Sequence, residues 1–321
     1  MLLLVIFTLT FFMIRSLPGD PALVIAGEKA NAAEVAKIRE QLGLNQPLPI
    51  QYLREIKHVF VDLDFGVSHH SNHKISDELA RKLPPTIELA SLAMLIAVLF
   101  GIPLGMLAAK YRGRWIDVLL TQLSLLGVSI PVFLLGMILI LCFEDVRSVG
   151  IAGQIGDDFF DKDVSFYFWG SLLQGRWDMF QDAAGHIVLP AVALATIPLS
   201  LIMRLTRSSV LEVLNEDFLR TARAKGVSEF KVYFKHILRA SSTTLVTVIA
   251  LQVGMLMSGA VLTETVFSWP GMGRYLIDAI EYRVYPAIQC SILLFTLIFI
   301  VAHFMVDVAC LLLDPRLRVK A

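Results

Sequence analysis

The chain has 321 residues, 56% of them hydrophobic and 17% charged, and its 28 basic and 28 acidic side chains cancel. A mean hydropathy of +0.69 excludes an ordinary soluble domain, and zero net charge gives nucleic acid no electrostatic reason to bind. The apolar residues come in long continuous runs rather than in alternation, so the spans are helices and not barrel strands.

Met1 to Ile14 is the first apolar run. Fourteen residues rise about 21 Å, short of a hydrocarbon core of about 30 Å. No basic residue precedes it and no small-residue cleavage site follows, so residues 1–14 read as a first transmembrane helix whose beginning lies upstream, not as a signal peptide. Residues 15–84 are of mixed polarity, with a turn cluster at Leu17 to Pro21 and a short amphipathic helix from Ala33 to Leu42 ended by Gly43. Within this segment His69, His70 and His73 offer imidazoles that a metal could take. No cysteine or matched acidic pair accompanies them, and a polar loop is the preferred reading.

From residue 85 to 313 the chain is a membrane core. Further spans are expected at about 86–109, 118–143, 186–203, 243–262 and 287–313, six in all. Pro103 sits between two glycines in the second span and should kink it. Pro131 interrupts the third. Glu88 is placed at the outer interface of the second span or facing a pathway. Residues 144–185 are acidic around Asp157 to Asp163 and carry Phe159, Phe160, Tyr167, Phe168, Trp169 and Trp177, which suits an interfacial segment. Cys142, Cys290 and Cys310 stand alone in apolar runs and form no disulfide or metal pattern. His303 and Asp307 lie four apart in the last span. They read as a pair facing a partner helix near the inner end, with a proton relay as the alternative.

Between the fourth and fifth spans, residues 204–242 form a polar elbow. Leu211, Leu214, Phe218 and Ala222 follow one helical face, Gly226 breaks the pattern, and Phe230, Tyr233, Phe234, Ile237 and Leu238 form a second stripe. A merely solvated loop would not need two apolar stripes, so the elbow is expected to enter a groove on another protein. Half of the 28 lysines and arginines fall after the second span, in the elbow and in the tail 314–321. The rest are mostly in the long first loop, where charge orients weakly. This puts the elbow and both termini in the cytoplasm and residues 15–84 outside. Six helices without an internal repeat make a poor two-fold gate alone, so a second, similar chain is expected. No phosphate loop, nucleophile elbow or HExxH zinc motif appears, and any ATP used must be bound by another subunit.

The elbow resembles the EAA loop of ATP-binding-cassette importer permeases. Ala222, Gly226 and Leu238 match that pattern; Arg220, His236 and Arg239 stand where its glutamate, isoleucine and proline fall. Those departures resemble the dipeptide/oligopeptide branch. So do Pro18-Gly-Asp-Pro-Ala22, Gly43 to Leu48, Asp64 to Ser68, Leu83 to Leu89, Gly101 to Gly105, Ser129 to Phe133 and Glu264 to Gly273. Together they cover nearly the whole chain and identify it as similar to that branch's first permease subunit.

The resemblance implies an all-α, six-helix type I importer permease fold in the bacterial cytoplasmic membrane, with no catalytic residue and no cofactor on this chain. ATP and Mg²⁺ would sit on two ATPase subunits. A second homologous permease, a periplasmic or lipid-anchored solute-binding protein and membrane lipid would complete the partners. ATPase coupling would fall to Phe218, Arg220, Thr221, Ala222, Arg223, Lys225, Gly226 and Leu238. Pro103, Pro131, Glu264, Phe267, Pro270, Gly271 and Gly273 would be pathway or outer-gate residues. Peptides are the expected cargo, with nickel, glutathione or another small solute as alternatives. A stand-alone carrier using His303 and Asp307 is the rival class.

Overall fold

A computed structural model describes residues 1–16, 20–26, 31–41, 43–146, 150–156, 159 and 164–313. The tail 314–321, most of the acidic run 157–163, Pro18, Gly19 and the side chain of Asp307 lie outside the described residues. Among the described residues every regular element is a helix, apart from one isolated bridge between Val67 and Lys74. Two compact units emerge, the first from 1–85 and 270–298, the second from 86–269 and 299–321.

In the first unit, α1 (Leu2–Ser16) buries Phe7, Phe11 and Ile14. The rings of Phe7 and Phe11 gather around Tyr52 of α4 (Leu48–Ile56). Arg15 closes this cluster: its guanidinium lies 3.6 Å from the Phe11 ring centroid and donates to Glu55 at 2.5 Å and to Gln51 at 3.1 Å. The short helices α2 (Pro21–Ala26) and α3 (Ala32–Gln41) precede α4, and a π turn (Lys57–Val61) extends it. A second cluster gathers Ile75 and Leu79 of α5 (Ile75–Lys110) with Met272 and Ala279 of α14 (Met272–Glu281) and Ala287 of α15 (Tyr285–Leu313).

The second unit is built on α9 (Trp177–Val213). The helices α6 (Trp115–Ser129), α7 (Val132–Phe143), α8 (Phe168–Gln174) and α13 (Ser242–Val266) all pack against it. The α5 helix reaches α9 through Gly105. A Cβ there would lie 2.5 Å from the Met203 carbonyl oxygen and 2.7 Å from Thr206 Cβ, so only glycine lets the backbones approach this closely.

Among the described residues three helices are long and apolar enough to span a membrane: Ile75–Lys110, Trp177–Val213 and Tyr285–Met305. Counting each of two bent pairs as one span brings the number to five, against the six expected, and α1 is a shorter apolar helix. The expected break at Pro131 is real: α6 and α7 meet at 101°. Pro131 pushes Ile130 out of the helical region, to φ −85° and ψ 121°, as a residue before proline is pushed. At Pro103, by contrast, α5 continues as helix. Hydropathy placed the second and fourth spans at 86–109 and 186–203. Both helices overrun those bounds, because hydropathy marks the stretch matched to hydrocarbon and not where backbone bonding stops.

Candidate functional site

The elbow begins later than the charge pattern suggests. Arg204 and Arg207 are still in α9, which continues to Val213. The chain then turns through residues 214–216, with Glu216 extended at φ −73° and ψ 139°, and re-enters helix as α10 (Asp217–Ala224). This break resets the helical register, so the expected stripe through Leu211, Leu214, Phe218 and Ala222 is not one face. Leu219 is the fully buried residue of α10, Ala222 is half-buried, and Phe218 points outward at 45% exposed. The cluster Asn215-Glu216-Asp217, a string of helix-start residues, was the sequence signal for that register.

The turn that follows is a Schellman motif. Gly226 N–H donates to the Arg223 carbonyl at 2.9 Å and Val227 N–H to the Ala222 carbonyl at 3.2 Å, with Gly226 at φ +77°. Among the described residues nothing lies within 4 Å of where a Gly226 Cβ would be, so glycine is needed there for its backbone alone. Arg223 reaches across the turn to Glu229 at 2.8 Å and 3.4 Å. That bond holds the Arg223 guanidinium even further above the ordinary arginine range.

Beyond the turn come α11 (Glu229–Lys231), a π turn (Val232–Ile237) and α12 (Leu238–Ala240). The π turn splits the expected second stripe. Val232 and Ile237, five residues apart, stack on the inward side and are fully buried, whereas Phe230 and Phe234 face outward. Leu219, Val232 and Ile237 share one apolar cluster with Met106 and Ala109 of α5 and Val210 of α9. The elbow is therefore wedged onto two long helices. Leu238 and Tyr233 lie half-buried against that cluster, while Phe218, Arg220, Thr221, Arg223 and Lys225 are left outside. Arg220 pairs with Asp217, one turn back on the same helix, at 3.3 Å.

Two buried polar knots were missed by sequence reasoning. Asp117 accepts from Arg207 Nε at 2.6 Å and from its terminal nitrogen at 2.8 Å, and also from Gly113 N–H at 2.9 Å. This locks the link between α5 and α6 to α9. Glu88, expected at the outer interface or facing a pathway, is fully buried within this chain. Its carboxylate accepts from Trp169 N–H at 3.0 Å and Gln154 Nε2 at 2.9 Å, fixing the start of α8. Tyr167 and Phe168, expected at an interface, are accordingly core residues, because Glu88 draws their segment inward.

The other candidates are dispersed. Pro103 and Pro131 are exposed. Glu264 is buried and accepts from the Thr86 hydroxyl at 2.6 Å. Phe267 is buried beside Leu189 and Ala193. Gly271 and Gly273 are buried at the start of α14 in the first unit, with Pro270 half-buried. In the same unit the Tyr275 hydroxyl donates to Glu78 at 2.8 Å, and burial followed by that bond pushes its pKa far up. The His70 ring stacks on Tyr282 at 3.6 Å. Among the described residues no group of three histidine, cysteine or acidic side chains is placed to hold a metal. His303 Nδ1 lies 3.1 Å from the Phe299 carbonyl oxygen, one turn back on its own helix.

Residues 101–319 match the family described as binding-protein-dependent transport system inner membrane component, and residues 1–90 match the corresponding N-terminal family. The chain is 42% identical to the dipeptide transport system permease protein DppB of Escherichia coli K12, over 97% of this chain and 94% of that protein. It is 41% identical to the glutathione transport system permease protein GsiC of Salmonella typhimurium LT2, over 99% and 95%. Among solved structures, an inward-facing form of the MetNI methionine ABC transporter superposes with a TM-score of 0.56 at 16% identity, over 74% of this chain and 97% of that one. That likeness is one of fold.

Proposed function

The chain belongs to the family of binding-protein-dependent transport inner-membrane components, and from that membership we propose that it is the peptide-conducting permease subunit of an ATP-driven importer. With a second homologous permease it forms the path for di- and oligopeptides across the bacterial cytoplasmic membrane. The substrate class rests on two relatives named for dipeptide and for glutathione, both short peptides. Membership also removes the stand-alone proton-coupled carrier as an alternative.

The observation that carries the coupling role is the elbow. Leu219 pins α10 to the chain's own core, and Phe218, Arg220, Thr221, Arg223 and Lys225 remain on the outer side. An amphipathic helix so held suits a groove on an ATPase subunit, its basic residues setting register and approach. Two such ATPases carry ATP and Mg²⁺, and this chain binds no cofactor. A solute-binding protein delivers the peptide from outside. The elbow and both termini lie in the cytoplasm. The exposed bend at Pro131 and the segment from Glu264, near the end of α13, through Phe267, Pro270 and Gly271 to Gly273, in the first turn of α14, are the candidates for the path and its outer gate, with Pro103.

The test is a reconstituted complex bearing Gly226→Asp. The chain should still insert in the membrane and assemble, and stimulation of ATP hydrolysis by the binding protein should disappear. Unchanged stimulation would remove the elbow from the coupling role. Proteoliposome uptake of a labelled dipeptide, driven by internal ATP, tests the cargo.

A further inference from the structure

The composite helix Glu229–Ala240 lies between the Gly226 turn and α13, and it meets Ser242–Met257 at 63°. Spanning helices tilt by about 20° on average, so a segment bent this far from one lies nearer the membrane plane than its normal.

The segment has three distinct faces. Val232 and Ile237 are spent on the chain's own core. Phe230 and Phe234 stack on each other with centroids 4.5 Å apart, yet are 70% and 51% exposed. Lys231, Lys235 and Arg239 recur every fourth residue, are exposed, and form no ion pair among the described residues. Glu229, the one acid in the segment, is already held by Arg223. Two phenylalanines turned to water gain nothing. A flat helix with an aromatic edge beside a basic edge is what the boundary between headgroups and acyl chains accommodates.

We infer that Glu229–Ala240 is an interfacial anchor for anionic phospholipid. Phe230 and Phe234 enter the headgroup–acyl boundary, and Lys231, Lys235 and Arg239 meet the negative headgroups. The charge on this face selects an anionic leaflet over a zwitterionic one. α10 lies on the far side of the Gly226 turn and stays free for a protein partner. The anchor sets the depth of the elbow, so a push on α10 is delivered to α13 instead of lifting the segment off the bilayer. This goes beyond the transport reading and holds whatever the cargo is.

The test places the full-length chain in nanodiscs of phosphatidylcholine, with or without a quarter of phosphatidylglycerol, and follows amide hydrogen exchange by mass spectrometry. Exchange in 229–240 should slow about tenfold when the anionic lipid is present, and high salt should reverse the slowing. Replacing Lys231, Lys235 and Arg239 by Gln should erase the difference between the two lipids. Phe230→Ser with Phe234→Ser should remove the protection, while peptides from α13 and around Leu219 stay as protected as in the parent, reporting an intact fold. Equal exchange in both lipids for the unmodified chain would overturn the inference. So would protection that appears only on adding an ATPase subunit, which would give this face to that protein.

Discussion

Arg207→Ala should be among the most damaging substitutions outside the apolar core. The Asp117 side chain is only 7% exposed and Arg207's is 30%. Their two nitrogen–oxygen distances, 2.6 Å and 2.8 Å, are those of a forked, charge-assisted pair. Removing the cation leaves Asp117 buried and charged, with only neutral donors beside it, the Gly113 amide and the Thr121 hydroxyl. Breaking a buried pair from one side costs about 3–5 kcal/mol, and water reaching the partly exposed guanidinium argues for the lower end, about 3 kcal/mol. Scaled by the unfolding entropy per residue, that lowers the melting midpoint by roughly 4–5 °C. Arg207→Lys should recover less than half, because an ammonium cannot fork. Asp117→Asn combined with Arg207→Ala should cost less than Arg207→Ala alone, since no charge is stranded. The assay is heating of the detergent-solubilised full-length chain, followed by the fraction remaining monodisperse. Midpoints within a degree of the parent for both Ala and Lys, or strictly additive effects in the double-mutant cycle, would show that this pair does not hold the α5–α6 link.

Gly105→Ala should lower the same midpoint by an amount equivalent to about 1–3 kcal/mol, because its Cβ would meet the Met203 backbone oxygen at 2.5 Å and one of the two helices must shift. Glu88→Ala should free the start of α8, costing about 1–3 kcal/mol for the orphaned donors, and limited proteolysis should then cut between residues 150 and 176. Glu88→Gln retains one acceptor and should fall between the parent and the alanine variant under the same protease.

Apolar runs made the membrane-spanning segments legible in the sequence, and Pro131 made the break between α6 and α7 legible because proline acts on its own neighbour. The helix limits were not legible. Pro84 and Pro85 look like a boundary before the second span, yet α5 starts at Ile75 and runs through them. Immediately beyond, Thr86 is tied to Glu264 at a sequence separation of 178 residues, a contact no local pattern announces. The same holds for Asp117 with Arg207 and for Glu88 with Trp169. Glu88 read as an interface or pathway residue and Asp117 gave no signal at all, because their partners are far away in sequence. In the elbow, Gly226 was readable because a positive φ has a residue signature, but the inward side of α10 was not. Its register depends on where α9 stops, and a three-residue turn moved Leu219 into the place expected of Phe218.

How a displacement of α10 would reach the spans follows from what it touches. Leu219, Val232 and Ile237 rest on Met106 and Ala109 of α5 and on Val210 of α9 together, not on one helix alone. Those two helices are in turn held at backbone distance by Gly105, and α9 is clamped to the start of α6 by Arg207 and Asp117. A closely packed contact transmits strain because it has no slack to absorb it. The elbow, α5, α9 and the beginning of α6 should therefore move as one body when α10 is pushed. The first place in the second unit where this body can give is Ile130–Pro131, where a missing backbone bond and an extended residue separate α6 from α7. A stiff lever ending at a proline joint is what the proposed coupling role requires: an elbow that yielded locally would dissipate the push before it could bias one conformation of the spans over the other.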